Sequence, residues 1–145
     1  MRAVIQRVRN ASVTVDSTVT GRIDLGLLVY LGIAAKDSKD DALWLEEKIS
    51  NLRIFNDENG KMNRSLCDIA FENKNEELTI GMLTVSQFTL IADVKKGRRP
   101  YYGDAADPLL ANSLYSFFLD LIKKRGLNSQ SGVFQAKMDV SYTNE

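Results

Sequence analysis

The chain has 145 residues, 19 of them basic and 19 acidic, with no histidine and one cysteine. That length suits a sizeable core, and a net charge of zero argues against a general nucleic-acid coat or a membrane-surface protein. Lacking histidine, and with Cys67 alone, it cannot use Ser-His-Asp or Cys-His catalysis, a disulfide framework, or almost any zinc site.

Met1 to Arg7 is charged and too short in apolar residues for a secretory leader. No apolar run approaches the roughly 20 residues that cross a bilayer. The expectation is a cytoplasmic protein in which residues 1–145 form a single domain, without repeats, low-complexity stretches or a linker. Arg2 to Val8 predicts a strand, with Ala3, Ile5 and Arg7 on one face and Val4, Gln6 and Val8 on the other. Ala11 to Val15 alternates again. Asp16-Ser17 is a turn before Thr18 to Ile23, so two short strands form a hairpin. Leu27 to Ala35 opens on a continuous apolar run and predicts a strand covered on both faces. Arg7, at the margin of such a sheet, suits either an ion pair or a phosphate contact.

Ser38 and Asp41 have capping-box spacing and start a helix whose Ala42, Leu45, Ile49 and Leu52 recur on one face. Trp44 and Glu46-Glu47-Lys48 fill its sides. Asn59-Gly60 is the strongest hairpin-turn signal. Asp57 and Asn59 have neither the spacing nor the closing glutamate of a calcium loop. Cys67 to Glu77 reads as a solvated loop, with Cys67 a free, partly buried thiol.

Leu78 to Leu90 predicts the central strand. Its core-facing positions change from aliphatic to polar towards Ser86-Gln87-Phe88-Thr89-Leu90. Buried polar groups without partners are costly, so Ser86, Gln87 and Thr89 meet each other, neighbouring backbone, or a ligand. Lys95-Lys96-Gly97-Arg98-Arg99 then places four cations within five residues. That is a solvated basic loop or one that grips phosphate, and Tyr101-Tyr102 beside it could stack on a nucleobase. Asp107-Pro108 caps a second helix running through Leu110, Leu114, Phe117, Phe118 and Leu121 to Lys123-Lys124-Arg125-Gly126. Asn128 to Gly132 reads as a turn. Val133 to Thr143 reads as a strand with Phe134, Ala136, Met138, Val140 and Tyr142 inside. The chain then stops at Glu145 without turn or cap, as a frayed end or an interrupted strand would.

These motifs, in this order, resemble the D-aminoacyl-tRNA deacylases over essentially the whole chain. The resemblance is carried by Ile5-Gln6-Arg7-Val8 with Ala11-Ser12-Val13; Gly26-Leu27-Leu28-Val29; Arg53-Ile54-Phe55 with Gly60-Lys61-Met62-Asn63; Ser86-Gln87-Phe88-Thr89-Leu90; Lys96-Gly97 with Arg99-Pro100; and Gly132, Phe134, Ala136 and Met138. Two departures stand out. Arg99-Pro100-Tyr101-Tyr102 occupies the place of the family's Arg-Pro-Ser-Phe. The second signature, Asn-x-Gly-Pro-Val-Thr, would begin at Asn144 and is matched only by Asn144-Glu145. Elements and resemblance together lead to an α/β fold: mixed, largely antiparallel sheets in a barrel-like or layered core, with two main helices outside.

The resemblance implies a homodimer that hydrolyses the ester between a D-amino acid and the 3′ end of tRNA. Its active site would lie at the dimer interface, where a cis Gly-Pro pair from the partner excludes L-amino acids. The catalytic segment carried over is Ser86, Gln87, Phe88 and Thr89. Arg7, Phe134, Ala136 and Met138 are candidates for the substrate pocket, with ordinary core as the competing role for Phe134 and Met138. Lys95, Lys96, Arg98 and Arg99 would hold tRNA phosphates, and neither metal nor cofactor is implied. An aminoacyl ester is already activated, so backbone N–H groups around Ser86, Gln87 and Phe88 and the adenosine 2′-hydroxyl could suffice. Thr89 as a nucleophile lacks an obvious base. A non-catalytic tRNA-binding or interaction protein on the same fold is the competing reading, favoured by the unmatched Gly-Pro.

Overall fold

In the computed structural model, which describes residues 1–145, β1 (Arg2–Val15) is one strand of 14 residues where the alternation suggested two. It turns through Asp16 and Ser17, whose φ angles of 47° and 65° are both left-handed, as a two-residue type I′ hairpin requires. The chain returns as β2 (Thr18–Ile23) and β3 (Leu25–Gly32), which pair with β1 in nearly continuous register: Ala11 faces Ile23 and Val8 faces Gly26. After α1 (Lys39–Ser50) come the small hairpin of β4 (Phe55–Asn56) and β5 (Met62–Arg64), α2 (Leu66–Phe71) and β6 (Ile80–Ser86). A 3₁₀ turn (Phe88–Ile91), α3 (Pro108–Lys124), β7 (Asn128–Ser131) and β8 (Asp139–Asn144) complete the chain. The fold is mixed α/β.

β6 runs parallel to both β3 and β7, while β8 is antiparallel along the second half of β1. The sheet bends until its ends nearly meet. A Cβ on Gly21 of β2 would stand 2.6 Å from the Ser131 carbonyl oxygen on β7, so only glycine permits that approach. The result is a nearly closed barrel. Alternation along the strands divides two cores. Leu28, Leu83 and Val85 turn inward against Val8, Ala11, Val13 and Ile23. Leu27, Val29, Leu31 and Met82 turn outward against Ala42 and Ile49 of α1 and Leu114, Phe118 and Ile122 of α3. β3 is therefore covered on both faces, as its unbroken apolar run predicted.

Other features also differ from expectation. The loop predicted after Cys67 begins as α2, started by a second capping box in which Asp68 accepts from the Ser65 N–H at 2.8 Å. Asn128 to Ser131 is a strand and not a turn, because the β6 edge supplies its hydrogen bonds despite a polar sequence. Residues 133–138 form a loop, leaving a shorter β8 on which Tyr142 is exposed. Glu46 does not sit on the helix flank. It is 3 % exposed, takes two 2.7 Å hydrogen bonds from Arg125 and a third from the Ser50 hydroxyl. Cys67 is free and half-buried, and burial pushes its thiol above the ordinary range.

Three cap and turn aspartates give the fold a defined acid limit. Backbone N–H donors from Ser38, Lys61 and Ser65 hold Asp41, Asp57 and Asp68 respectively below the ordinary aspartate value. Each folded pKa is lower than its unfolded one, so the stabilisation is complete above about pH 3.9 and is lost as pH falls through the depressed values. Circular-dichroism melts should show a flat Tm from neutrality to near pH 4 and a decline below it. Asp68→Asn should lower the plateau and shallow the decline.

Candidate active site

β6 cannot continue to Leu90, because its partner β3 ends at Gly32. The last rung is the Gln87 N–H donating to the Leu31 carbonyl at 2.8 Å. Beyond it the backbone satisfies itself in a tight turn, with the Leu90 N–H on the Gln87 carbonyl and the Ala92 N–H on the Thr89 carbonyl, both at 3.3 Å. The polar end of the predicted strand thus becomes a strand end followed by a 3₁₀ turn. Gln87 and Thr89 meet: the Gln87 side-chain amide donates to the Thr89 hydroxyl. That hydroxyl keeps its own proton to give elsewhere. Phe88 and Thr89 open the turn, so their N–H groups have no acceptor within it.

A cavity of about 540 Å³ opens at this point, at the mouth of the barrel. Ser86, Gln87 and Phe88, at the end of β6, line it together with Tyr30, Leu31, Ile33 and Val85. The opposite wall is Ala106, Pro108 and Ala111, carried in by the Ala106 N–H on the Ile33 carbonyl at 2.9 Å and by Asp107 capping α3. Phe134, Gln135, Ala136, Met138 and Val140 close the remaining side. Gln135 has φ 64°, a left-handed conformation costing roughly 1–3 kcal/mol in a non-glycine residue. This kink ends the strand that alternation suggested for residues 133–143. Phe134 leans on the ring of Tyr115 at 5.8 Å, and Tyr115 donates to the Thr84 carbonyl at 2.7 Å, fixing that wall to β6. No charged side chain lines the cavity, and burial holds the Tyr30 phenol above its ordinary pKa.

Of the residues singled out from sequence, Ser86, Gln87, Phe88, Phe134, Ala136 and Met138 meet in this cavity. Thr89 is not in the lining and touches it only through its hydrogen bond with Gln87. Arg7 lies outside the lining; it donates to the Ile54 carbonyl at 2.7 Å and to Asn56 at 3.2 Å, with Glu145 3.5 Å away. Lys95, Lys96, Arg98 and Arg99 are also outside the cavity, on an exposed loop closed by reciprocal bonds between Asp93 and Tyr101 at 2.8 and 2.9 Å. That closure stands one residue from Tyr102, whose ring meets Phe88 edge-on at 5.3 Å; Phe88 is 59 % exposed at the mouth. Sequence reasoning missed Tyr30, Ala106, Pro108, Ala111 and Gln135. Pro108 was legible only as a helix start, and nothing local marks a small residue such as Ala111 as a cavity wall. No three acidic or sulfur side chains converge as a metal site would require.

A family model described as D-Tyr-tRNA(Tyr) deacylase matches residues 4–145. The chain is 48% identical to a D-aminoacyl-tRNA deacylase of Desulfotalea psychrophila, over 100% of this chain and 91% of the relative. It is 50% identical to one of Thermus aquaticus, over 100% of this chain and 90% of the relative. Among solved structures it is similar to the c-Myc DNA unwinding element binding protein, with TM-score 0.87 and 36% identity over 100% of this chain and 93% of that one. A structure described as a probable eukaryotic D-amino acid tRNA deacylase shares the fold, with TM-score 0.80 at 17% identity over 99% of this chain and 93% of that one.

Proposed function

The chain belongs to the D-Tyr-tRNA(Tyr) deacylase family, and from that premise we propose that it hydrolyses the ester of D-aminoacyl-tRNA, releasing free D-amino acid and tRNA. The observation that carries the reading is the uncharged cavity lined by the Ser86-Gln87-Phe88 strand end. The aminoacyl group enters the cavity, and the terminal adenosine rests at the mouth against Phe88 and Tyr102. Water adds to the ester carbonyl, negative charge builds on its oxygen, and the 3′ oxygen leaves with a proton. The N–H groups of Phe88 and Thr89 and the free hydrogen of the Gln87 amide are the donors for that charge. The Gln87 N–H is committed to Leu31 and is not one of them. Thr89 accepts from an amide and has no basic neighbour to take its proton, which favours a donor role over a nucleophilic one. The vicinal 2′-hydroxyl of the RNA assists the departing 3′ oxygen. A tRNA substrate fits a reaction in the cytoplasm.

The protein acts as a homodimer. The resemblance implies an active site completed at the interface between two copies, and Phe88 at the cavity mouth is exposed. Incubating D-Tyr-tRNA and L-Tyr-tRNA with the protein, and following release of tyrosine, tests the reading. The D ester should be cleaved, with the L ester as the comparison, and light scattering should give twice the chain mass. An intact D ester alongside retained tRNA binding would leave the nucleic-acid-binding reading in its place.

A further inference from the structure

We propose that Tyr101 is a stacking platform for an unpaired nucleobase just upstream of the esterified nucleoside, so that the chain grips a short single-stranded RNA end. The proposal takes its substrate from the deacylase reading and adds a contact to it. Tyr101 is 64 % exposed and does not line the cavity. Its ring lies across Gly103: a Cβ there would overlap the Tyr101 hydroxyl and the ring carbon bearing it. One side of the ring therefore rests on backbone while most of the side chain meets solvent. A ring held this way loses little freedom when a base stacks on it.

Successive side chains of an extended segment point to opposite sides. Tyr102 turns to Phe88 at the mouth, and Tyr101 turns away from it onto Gly103. The base that reaches Tyr101 is thus a different one from the base seated at the mouth. Lys95, Lys96, Arg98 and Arg99 stand on the loop that the Tyr101 backbone closes, and none of them takes part in any of the six ion pairs of the chain. An open aromatic face beside four uncommitted cations matches a strand with free base faces and a phosphate backbone, and not a duplex, whose bases are stacked on each other.

The test compares the native protein with Tyr101→Ala, Tyr101→Phe and Gly103→Ala, each checked for an unchanged melting curve. Tyr101→Ala should raise KM for D-Tyr-tRNA roughly tenfold with kcat unchanged, and should leave hydrolysis of the D-tyrosyl ester of adenosine alone untouched. Tyr101→Phe should behave as native, and Gly103→Ala, which pushes the ring off its seat, should match Tyr101→Ala. Anisotropy of a labelled oligoribonucleotide carrying the tRNA 3′ sequence should show Tyr101→Ala binding more weakly at every salt concentration with the same salt slope. Lys96→Gln with Arg99→Gln should flatten that slope. Equal losses on the tRNA and the adenosine ester, or native oligonucleotide binding by Tyr101→Ala, would overturn the proposal. Should the native protein cleave neither ester, the deacylase reading fails, and the oligonucleotide arm still decides for or against Tyr101.

Discussion

Gln87→Ala should lower kcat for D-aminoacyl-tRNA hydrolysis by about a hundredfold or more, in the range that follows removal of one oxyanion donor. Two effects combine. The free amide hydrogen facing the cavity is lost, and Thr89 loses the donor that orients its hydroxyl. Stability should change little, because one side-chain hydrogen bond contributes about 1 kcal/mol net. Gln87→Glu should be slower still: it keeps the shape but sets a negative charge against the oxygen on which charge develops. KM for tRNA should hardly move in either variant, since the cations of the loop stand apart from Gln87. Single-turnover rates with both variants, beside urea unfolding curves, provide the measurement. Near-native rates for Gln87→Ala would remove the polar strand end from the chemistry; equal losses of rate and stability would make it a structural feature only.

The second large effect is on stability, far from the cavity. Arg125→Ala would strand the carboxylate of Glu46, which is 3 % exposed and held by two charge-assisted bonds from Arg125. The guanidinium is 30 % exposed, which sets the expected cost at the low end of the range for breaking a buried pair, about 3 kcal/mol. For a chain of this size that is a fall in Tm of roughly 6–12 °C. Replacing both partners, as Glu46→Leu with Arg125→Met, should recover most of the loss, because no uncompensated charge then remains between α1 and α3. Thermal melts of the single and double variants form the cycle, with coupling of less than about 0.5 kcal/mol counting against the pair. Hydrolysis at 25 °C should be unaffected in all of them, since neither residue touches the cavity.

These two effects differ in how far they could be read from residues alone. The Ser86 to Leu90 stretch announced itself, because hydroxyls and an amide replaced aliphatic side chains on a strand otherwise built for burial. What it could not announce was its shape. Whether a β-prone segment stays extended depends on a neighbour's carbonyls, and β3 supplies none beyond Leu31. The same dependence turned Asn128–Ser131, polar and turn-like by composition, into a strand against β6. Glu46 was unreadable for a related reason. Its burial is decided by Arg125, which is distant in sequence but adjacent across the α1–α3 interface.

Local chemistry therefore settled the elements whose determinants lie within a few residues. These are the Asp16-Ser17 and Asn59-Gly60 turns, the Ser38 and Asp107 helix starts, the doubly covered β3, and the motif order that marks the family. Tertiary structure alone decided which of those residues meet. It brought Phe134, Ala136 and Met138 to Gln87 through a left-handed kink at Gln135, turned Arg7 to Ile54 and Asn56, and seated Tyr101 on Gly103. The physical reason is range: caps, turns and periodicity act over one or two turns of chain, whereas a cavity wall is a sum of contacts that only the closing of the sheet brings within reach.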